Sequence, residues 1–556
     1  MSRFNLAVIL LLFTALSEAE SSRANEMDKG LVNNHSAYIP PQCYTKTQDE
    51  QGKVHNPCYA CHVNGTRPNF LHDDGDLQLS YDFSDYSAHN RYENLFKDRS
   101  EAVAKISDQV IDHYINTSNY QAKDGSLILA KKLSQLPLEW DANKDGTWNG
   151  YMPDIYFNFD QQGFDITPSG QESGWLAFAY YPFPGAFMPT NGSSDDVMIR
   201  LPQAFRNDVN GHFNRQVYKT NLAIVEALIR ERDMAITALD EQHYGVDLNK
   251  NGKLDVASKV VYRWAPLKNE FMQYVGQAGI EYAAKGQQIS AGLYPKGTEF
   301  LHSVRYLAVN GEDVVMSKRM KELRYAKKVT WNNYSQLSKS VSAEIKERHD
   351  YPNRLSQYHT SRQGGMEKGL YNGRGWRYQG FIEDVKGQLR PQNYEETLSC
   401  MGCHTGVGAT VDSSFSFPRK FKHDSFQQAY YHWSQQGLNK VADPKRQDGK
   451  HEYRFYLANN QTANEYRNNL EVTDKFFKDG KLVEKMSERL ASDISTLLLP
   501  SAARARALNK AYKVIVDEQS YTLGRDAHIL PITSVHKKVP VGESTGITIP
   551  LSASRI

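Results

Sequence analysis

Five cysteines occur in 556 residues, and four of them fall into two identical arrangements. Cys58-Tyr59-Ala60-Cys61-His62 and Cys400-Met401-Gly402-Cys403-His404 each place two thiols three positions apart, with a histidine directly after the second. Thiols at that spacing reach the two vinyl groups of one porphyrin and form two thioether bonds, while the adjacent imidazole binds the iron. Each motif therefore predicts one covalent c-type haem. Cys58, Cys61, Cys400 and Cys403 are the attachment points, and His62 and His404 the iron ligands. A zinc site built from two C-x-x-C halves has them roughly 15–20 residues apart, whereas several hundred residues separate Cys61 from Cys400. A dithiol redox pair needs no following histidine and rarely occurs twice.

A second kind of chemistry is offered by two acidic turns. Asp141, Asn143, Asp145 and Gly146 follow the D-x-N-x-D-G pattern of a calcium loop, with Thr147 able to offer its carbonyl. Met152 stands where an EF-hand has its bidentate glutamate, and Asp154 is the nearest substitute. The residues after the turn, GYMPDIYFNFD, read as a strand, which excludes a helix-loop-helix hand. Asp247, Asn249, Asn251, Gly252 and Asp255 repeat the pattern, with Ser258 at position twelve. Either both turns take structural calcium, pinning a region without disulfides, or they are polar turns that bind nothing.

The paired motifs and an export signal resemble those of large exported dihaem c-type cytochromes. That resemblance implies haem domains of the cytochrome c type and electron transfer between redox partner proteins. A dihaem oxidoreductase, peroxidase-like or acting on sulfur compounds with one catalytic haem, is the alternative. The second axial ligand divides the two readings: a strong one saturates the iron for electron transfer, and an open position permits catalysis. His55, His72, His89 and His113 lie near the first motif, and His423, His432 and His451 follow the second. His432, within a helix expected over Asp424–Lys440, is the first choice. Met234 reads as a packing residue rather than a ligand. Cys43 is left over: a distal ligand, as thiosulfate-oxidising dihaem cytochromes would suggest, a reactive thiol, or an inert buried one.

These groups need elements to hold them. Apolar spacing predicts helices over Asp98–Tyr120 and Arg215–Tyr244. Asn310-Gly311 between Val304–Val309 and Glu312–Met316 predicts a hairpin. The basic stretch 318–350 reads as a helix with a solvated face. Helices are expected at 481–499 and 501–519, split by Pro500, with Ser501 as N-cap. The fold expected is mainly α with an irregular β-containing middle. Its segments are a signal peptide (1–24), an N-terminal haem domain (25–135), a middle domain (136–390), a second haem domain (391–470) and a helical tail (471–556).

Composition narrows the classes. Aromatics make up 11% of residues and hydrophobics 40%, enough for a large core. The net charge of +2 gives no reason to expect a nucleic-acid partner. Arg3, the apolar run Leu6–Leu16 and Ser17-Glu18-Ala19 form a secretory signal too short to span a bilayer. The first cysteine, Cys43, lies far past cleavage after either Ala19 or Ala24, so a lipid anchor at the mature N-terminus is not expected. The mature chain is expected in the periplasm or medium, without a membrane span.

Overall fold

The computed structural model describes residues 32–65, 68, 75–357, 364–422, 426–461, 469–552 and 556. The signal peptide, His72 and His423 lie outside them. In chain order the strands that frame the site are β1 (Phe164–Ile166), β2 (Glu172–Ala177), β3 (Ser194–Asp195), β4 (Met198–Arg200), β5 (Met234–Asp240), β6 (Val256–Val260), β7 (Glu299–Asn310), β8 (Asp313–Lys328), β9 (Gly364–Gly365), β10 (Gly369–Tyr371), β11 (Trp376–Glu383) and β12 (Leu389–Pro391). Ten of them form one antiparallel sheet in the order β1-β2-β4-β7-β8-β11-β10-β9, with β3 added on β7 and β12 on β11; β5 and β6 form a separate hairpin.

The sheet grows from the hairpin β7–β8. Its turn runs through Gly311 at φ +63, a left-handed conformation open to glycine, and pairs Asn310 with Asp313. The expected hairpin is thus present, and its strands reach well beyond the expected ends. Side chains alternate across the sheet. Phe300, His302 and Val304 of β7, Glu322, Arg324 and Ala326 of β8, and Trp376 and Tyr378 of β11 line one large cavity. Leu301, Leu323 and Phe381, one position out of step, join Trp175, Ala177 and Met198 in a core on the opposite face.

About 30% of the chain is helix and 19% strand, around a ten-stranded sheet. The expectation of a mainly α chain with haem domains of the cytochrome c type is therefore corrected. Charge was the misleading signal. Residues 318–328 are rich in lysine and arginine, yet they form most of β8, and only Tyr334–Asp350 of the basic stretch is helical. Three of these cations are paired, Arg319 and Lys328 buried and Arg324 half-buried: Arg319 with Glu383 at 2.6 Å, Arg324 with Glu322 at 3.0 Å, and Lys328 with Asp412 at 2.5 Å.

Other elements shift for local reasons. The stretch Asp98–Tyr120 splits into Ser100–Ala104 and Asp108–Asn116, because Ser107 accepts from Val110 N–H and starts a new helix. Helix Arg215–Arg230 ends at Glu231, which is left-handed at φ +52, and the chain continues as β5. Met234 therefore sits on a strand inside the core, a packing residue. Asp424–Lys440 holds only a 3-10 turn, Phe426–Ala429, among its described residues. The stretch 481–499 contains a short strand and the helices Glu484–Ser492 and Ser495–Leu498, and helix Ala502–Glu518 begins at its Ser501 cap.

The first motif's segment is sewn to the far end of the chain by bridges Thr45–Val535, Ser80–Ser544 and His89–Lys538. No helix among the described residues is long and apolar enough to cross a membrane.

Candidate functional site

The two motifs fold into the same kind of turn and face the same cavity. In the first, Cys58–Ala60 is a 3-10 turn, and the amide of His62 donates to the Cys58 carbonyl at 2.9 Å. Asn56 Oδ1 accepts from Tyr59 N–H at 3.1 Å, and Gln78 Nε2 donates to the His62 carbonyl at 2.6 Å. In the second, helix Tyr394–Leu398 starts with a capping box between Asn393 and Glu396. Met401 is fully buried, and the amide of His404 donates to the Cys400 carbonyl at 3.0 Å. Both histidines thus project one turn beyond their first cysteine.

The turns touch each other. The amide of Ala409 donates to the Cys61 carbonyl at 3.3 Å. A Cβ on Gly408 would stand 1.6 Å from the Val63 carbonyl oxygen, and one on Gly402 would stand 1.7 Å from that of Tyr38. The glycines of the second motif therefore serve close protein–protein approach, not exposure of a porphyrin face. Gly406 likewise faces the Arg374 guanidinium.

The cavity has a volume of about 610 Å³, within the range of ligand sites. All five cysteines line it, with His62, His302 and His404 its histidines among the described residues and Phe183, Phe300, Trp376, Tyr378 and Phe415 among its walls. The His404 ring lies against Tyr378 at 4.8 Å and meets Phe415 edge-on at 5.5 Å. Its Nδ1 is 2.9 Å from the Ser413 carbonyl. That carbonyl is aimed by two consecutive left-handed residues, Asp412 at φ +51 and Ser413 at φ +62, a conformation costly for residues with a Cβ. Asp412 is held there by Lys328 and by Tyr294 N–H at 2.9 Å.

His302 was not singled out by the sequence. It lies between Phe300 and Val304 on β7, opposite Arg324 of β8, and its Nδ1 is 2.6 Å from the Asp196 carbonyl. Burial, with Arg324 nearby, holds the His302 ring down to about 4; burial, with His302 and Arg324 nearby, does the same to His404. Both imidazoles are therefore neutral at pH 7 and suited to bind a metal. His432 is not on the cavity wall. Its Nε2 contacts Asp196 Oδ2 at 2.9 Å and its Nδ1 contacts Ser434 Oγ at 2.8 Å, so neither nitrogen is available. His55 contacts Asp49 at 2.8 Å, His113 is exposed, and His451 Nδ1 contacts the Asp443 carbonyl at 2.9 Å.

The thiols carry a further constraint. Burial pushes Cys403 up to about 11 and raises Cys400 as well. A dithiol redox pair works through a depressed pKa, which these surroundings do not provide. Among the described residues no three His, Cys, Asp or Glu side chains converge on one metal-ion position. The donor set and the cavity are compatible with a porphyrin: paired thiols at thioether spacing, imidazoles of which His302 and His404 have one nitrogen anchored, and aromatic walls. Cys43 belongs to the same wall, on the turn Pro41–Tyr44.

The acidic turns lie elsewhere and share one design. Asp141 accepts from Asp145 and Gly146 N–H at 3.1 and 2.9 Å; Asp247 accepts from Asn251 and Gly252 N–H at 3.2 and 2.9 Å. A buried glutamate clamps positions two and nine of each turn. Glu367 accepts from Ala142 and Asn149 N–H, and Glu241 from Leu248 and Asp255 N–H. The sequence reading missed both glutamates, because Glu367 comes from a distant part of the chain and Glu241 precedes its turn. Asp154 is no substitute ligand: it pairs with Arg200 at 2.5 Å and accepts from Trp175 Nε1 at 2.8 Å.

Comparison with known proteins changes the kinship expected. A family described as "-like lipoprotein" matches residues 27–495. An uncharacterized lipoprotein of Aquifex aeolicus (strain VF5) is 28% identical over 575 residues, covering 94% of this chain and 91% of its own length. No solved structure matches the chain. The resemblance to exported dihaem c-type cytochromes is overturned by these matches, since neither is to a cytochrome and one motif pair in a ten-stranded fold carries no kinship by itself.

Proposed function

The chain belongs to the "-like lipoprotein" family of exported proteins, and we propose that it is a redox protein holding two covalent haems in one cavity and passing electrons between partner proteins. The observation that supports this reading is the meeting of the two C-x-x-C-H turns at one cavity, joined through Ala409 and Cys61. Haem, when bound, supplies a one-electron iron couple. The chain supplies Cys58 and Cys61 to tether one group, Cys400 and Cys403 the other, and His62 and His404 as ligands. Ser413 fixes the His404 ring, and the aromatic wall keeps water from it. The exported protein acts in the periplasm or medium, with redox proteins or a small-molecule donor or acceptor as partners and no nucleic acid.

Intact mass of the acid-denatured exported chain tests this. Two haem increments are expected, and Cys61→Ala or Cys403→Ala should each weaken one attachment by leaving a single thioether. An unmodified mass with both cysteine pairs oxidised to disulfides overturns it.

A second reading, reduction or oxidation of a small molecule at one haem, is favoured by one observation. Asp195 is raised to about 7 by burial and Lys321 lowered to about 7 by burial, and both line the cavity as groups able to exchange protons near neutrality. A high-spin ferric signal that shifts on adding cyanide or peroxide selects this reading. We also propose that the turns at Asp141 and Asp247 take structural calcium, supported by the glutamate clamp that shapes both alike.

A further inference from the structure

We propose that His302 is the second axial ligand of the iron whose first ligand is His404, a role that rests on the haem reading above. A carbonyl oxygen only accepts, so the 2.6 Å contact to Asp196 puts the proton of His302 on Nδ1 and leaves the lone pair on Nε2. The contact of His404 with the Ser413 carbonyl has the same consequence. The two rings line one cavity, and each keeps its Nε2 lone pair outside any hydrogen bond among the described residues. Metal-bound histidines characteristically donate their other N–H to a carbonyl in this way, which fixes tautomer and ring orientation.

The support behind His302 is built from several elements. It stands on the central hairpin, where register fixes its direction: one step along β7 would turn it to the other face. Asp196, whose carbonyl anchors it, is itself held by His432 at 2.9 Å, by the Ser303 amide at 2.5 Å and hydroxyl, and by Arg305 at 4.0 Å. Burial alone would raise the Asp196 carboxyl, yet His432, Arg305 and Ser303 keep it below the usual range. His432 therefore belongs to the site after all, as a positioning residue one layer behind His302. The thioether on the wall, Met188, has its sulfur engaged by the Gly185 amide at 3.2 Å. Two imidazoles saturate an iron and favour electron transfer over substrate binding.

The test uses the full exported chain with its haems attached. In the ferric protein the His404 haem should be low-spin. His302→Ala should convert one of the two haems to high-spin by electron paramagnetic resonance, and added imidazole should restore it, with two haem increments still present in the mass. His302→Met, which keeps a ligand and guards against misfolding, should remain low-spin, gain the red absorption band of thioether-ligated ferric haem, and show a raised potential for one haem only. A His302→Ala protein carrying two haems with an unchanged low-spin spectrum overturns the assignment. A wild-type chain of unmodified mass overturns the haem reading, and this ligand with it, before any spectrum is taken.

Discussion

Ala409 donates its amide hydrogen to the carbonyl of Cys61. A residue that follows the second motif thereby closes on the last cysteine of the first, and the neighbouring Gly408 lies so near Val63 that no side chain fits between them. The motifs are one structural unit assembled from distant stretches of chain.

Gly408→Ala forces that seam open. A loss of roughly 2–4 kcal/mol is expected, the range of a severe steric insertion in a packed core. Urea unfolding of the variant measures it. Gly437→Ala, with nothing near its Cβ, is the control and should leave the midpoint unmoved.

The Lys328–Asp412 pair gives a second expectation. Both side chains are buried, so Lys328→Met strands a carboxylate in the interior and should cost about 3–5 kcal/mol. The double variant Lys328→Met/Asp412→Asn removes the charge, and Asn tolerates the left-handed backbone of position 412. It should recover much of the loss. Denaturation midpoints of both variants decide; equal losses would show that the pair contributes no charge coupling.

Asp195 gives a pH dependence. Its folded value of about 7 lies above the 3.8 of an unperturbed Asp, through burial and the adjacent Asp196. Between those values the folded chain holds a proton that the unfolded chain has released, so stability falls as pH rises from about 4 to 7. Asp195→Asn should flatten that fall while changing little at the acid end. Urea midpoints at pH 5 and pH 7 for the two proteins read the difference directly.

Elemental analysis should find two calcium ions per chain, one lost in Asp141→Ala and one in Asp247→Ala. Chelation should lower the melting temperature. At a hundredfold excess of calcium over its dissociation constant the stabilisation is about 3 kcal/mol per site. Glu241→Gln should weaken only the Asp247 turn, since its clamp touches no other.

Local structure was legible in the sequence and long-range geometry was not. The C-x-x-C-H spacing already implies the turn that carries His62 and His404, because that turn is made by neighbours. The Asn310-Gly311 hairpin and the Ser501 cap were legible for the same reason. His302 was hidden because its role depends on register across β7 and β8 and on a carbonyl from Asp196, more than a hundred residues away in the chain. The extent of β8 was hidden because its cations look like a solvated face until Asp412 and Glu383 arrive to neutralise them. Kinship was misjudged because two short motifs outweighed the several hundred residues around them.

The bridges from Thr45, Ser80 and His89 to residues 535–544 bear on the order of assembly. The wall carrying Cys58 and Cys61 cannot be completed until nearly the whole polypeptide has emerged, and contacts of such separation form slowly. During that interval the first pair of thiols remains reachable. Once these bridges form the same thiols become half-buried on the cavity wall, so on the proposed haem reading a faster-folding variant would leave less time for attachment and would mature less completely.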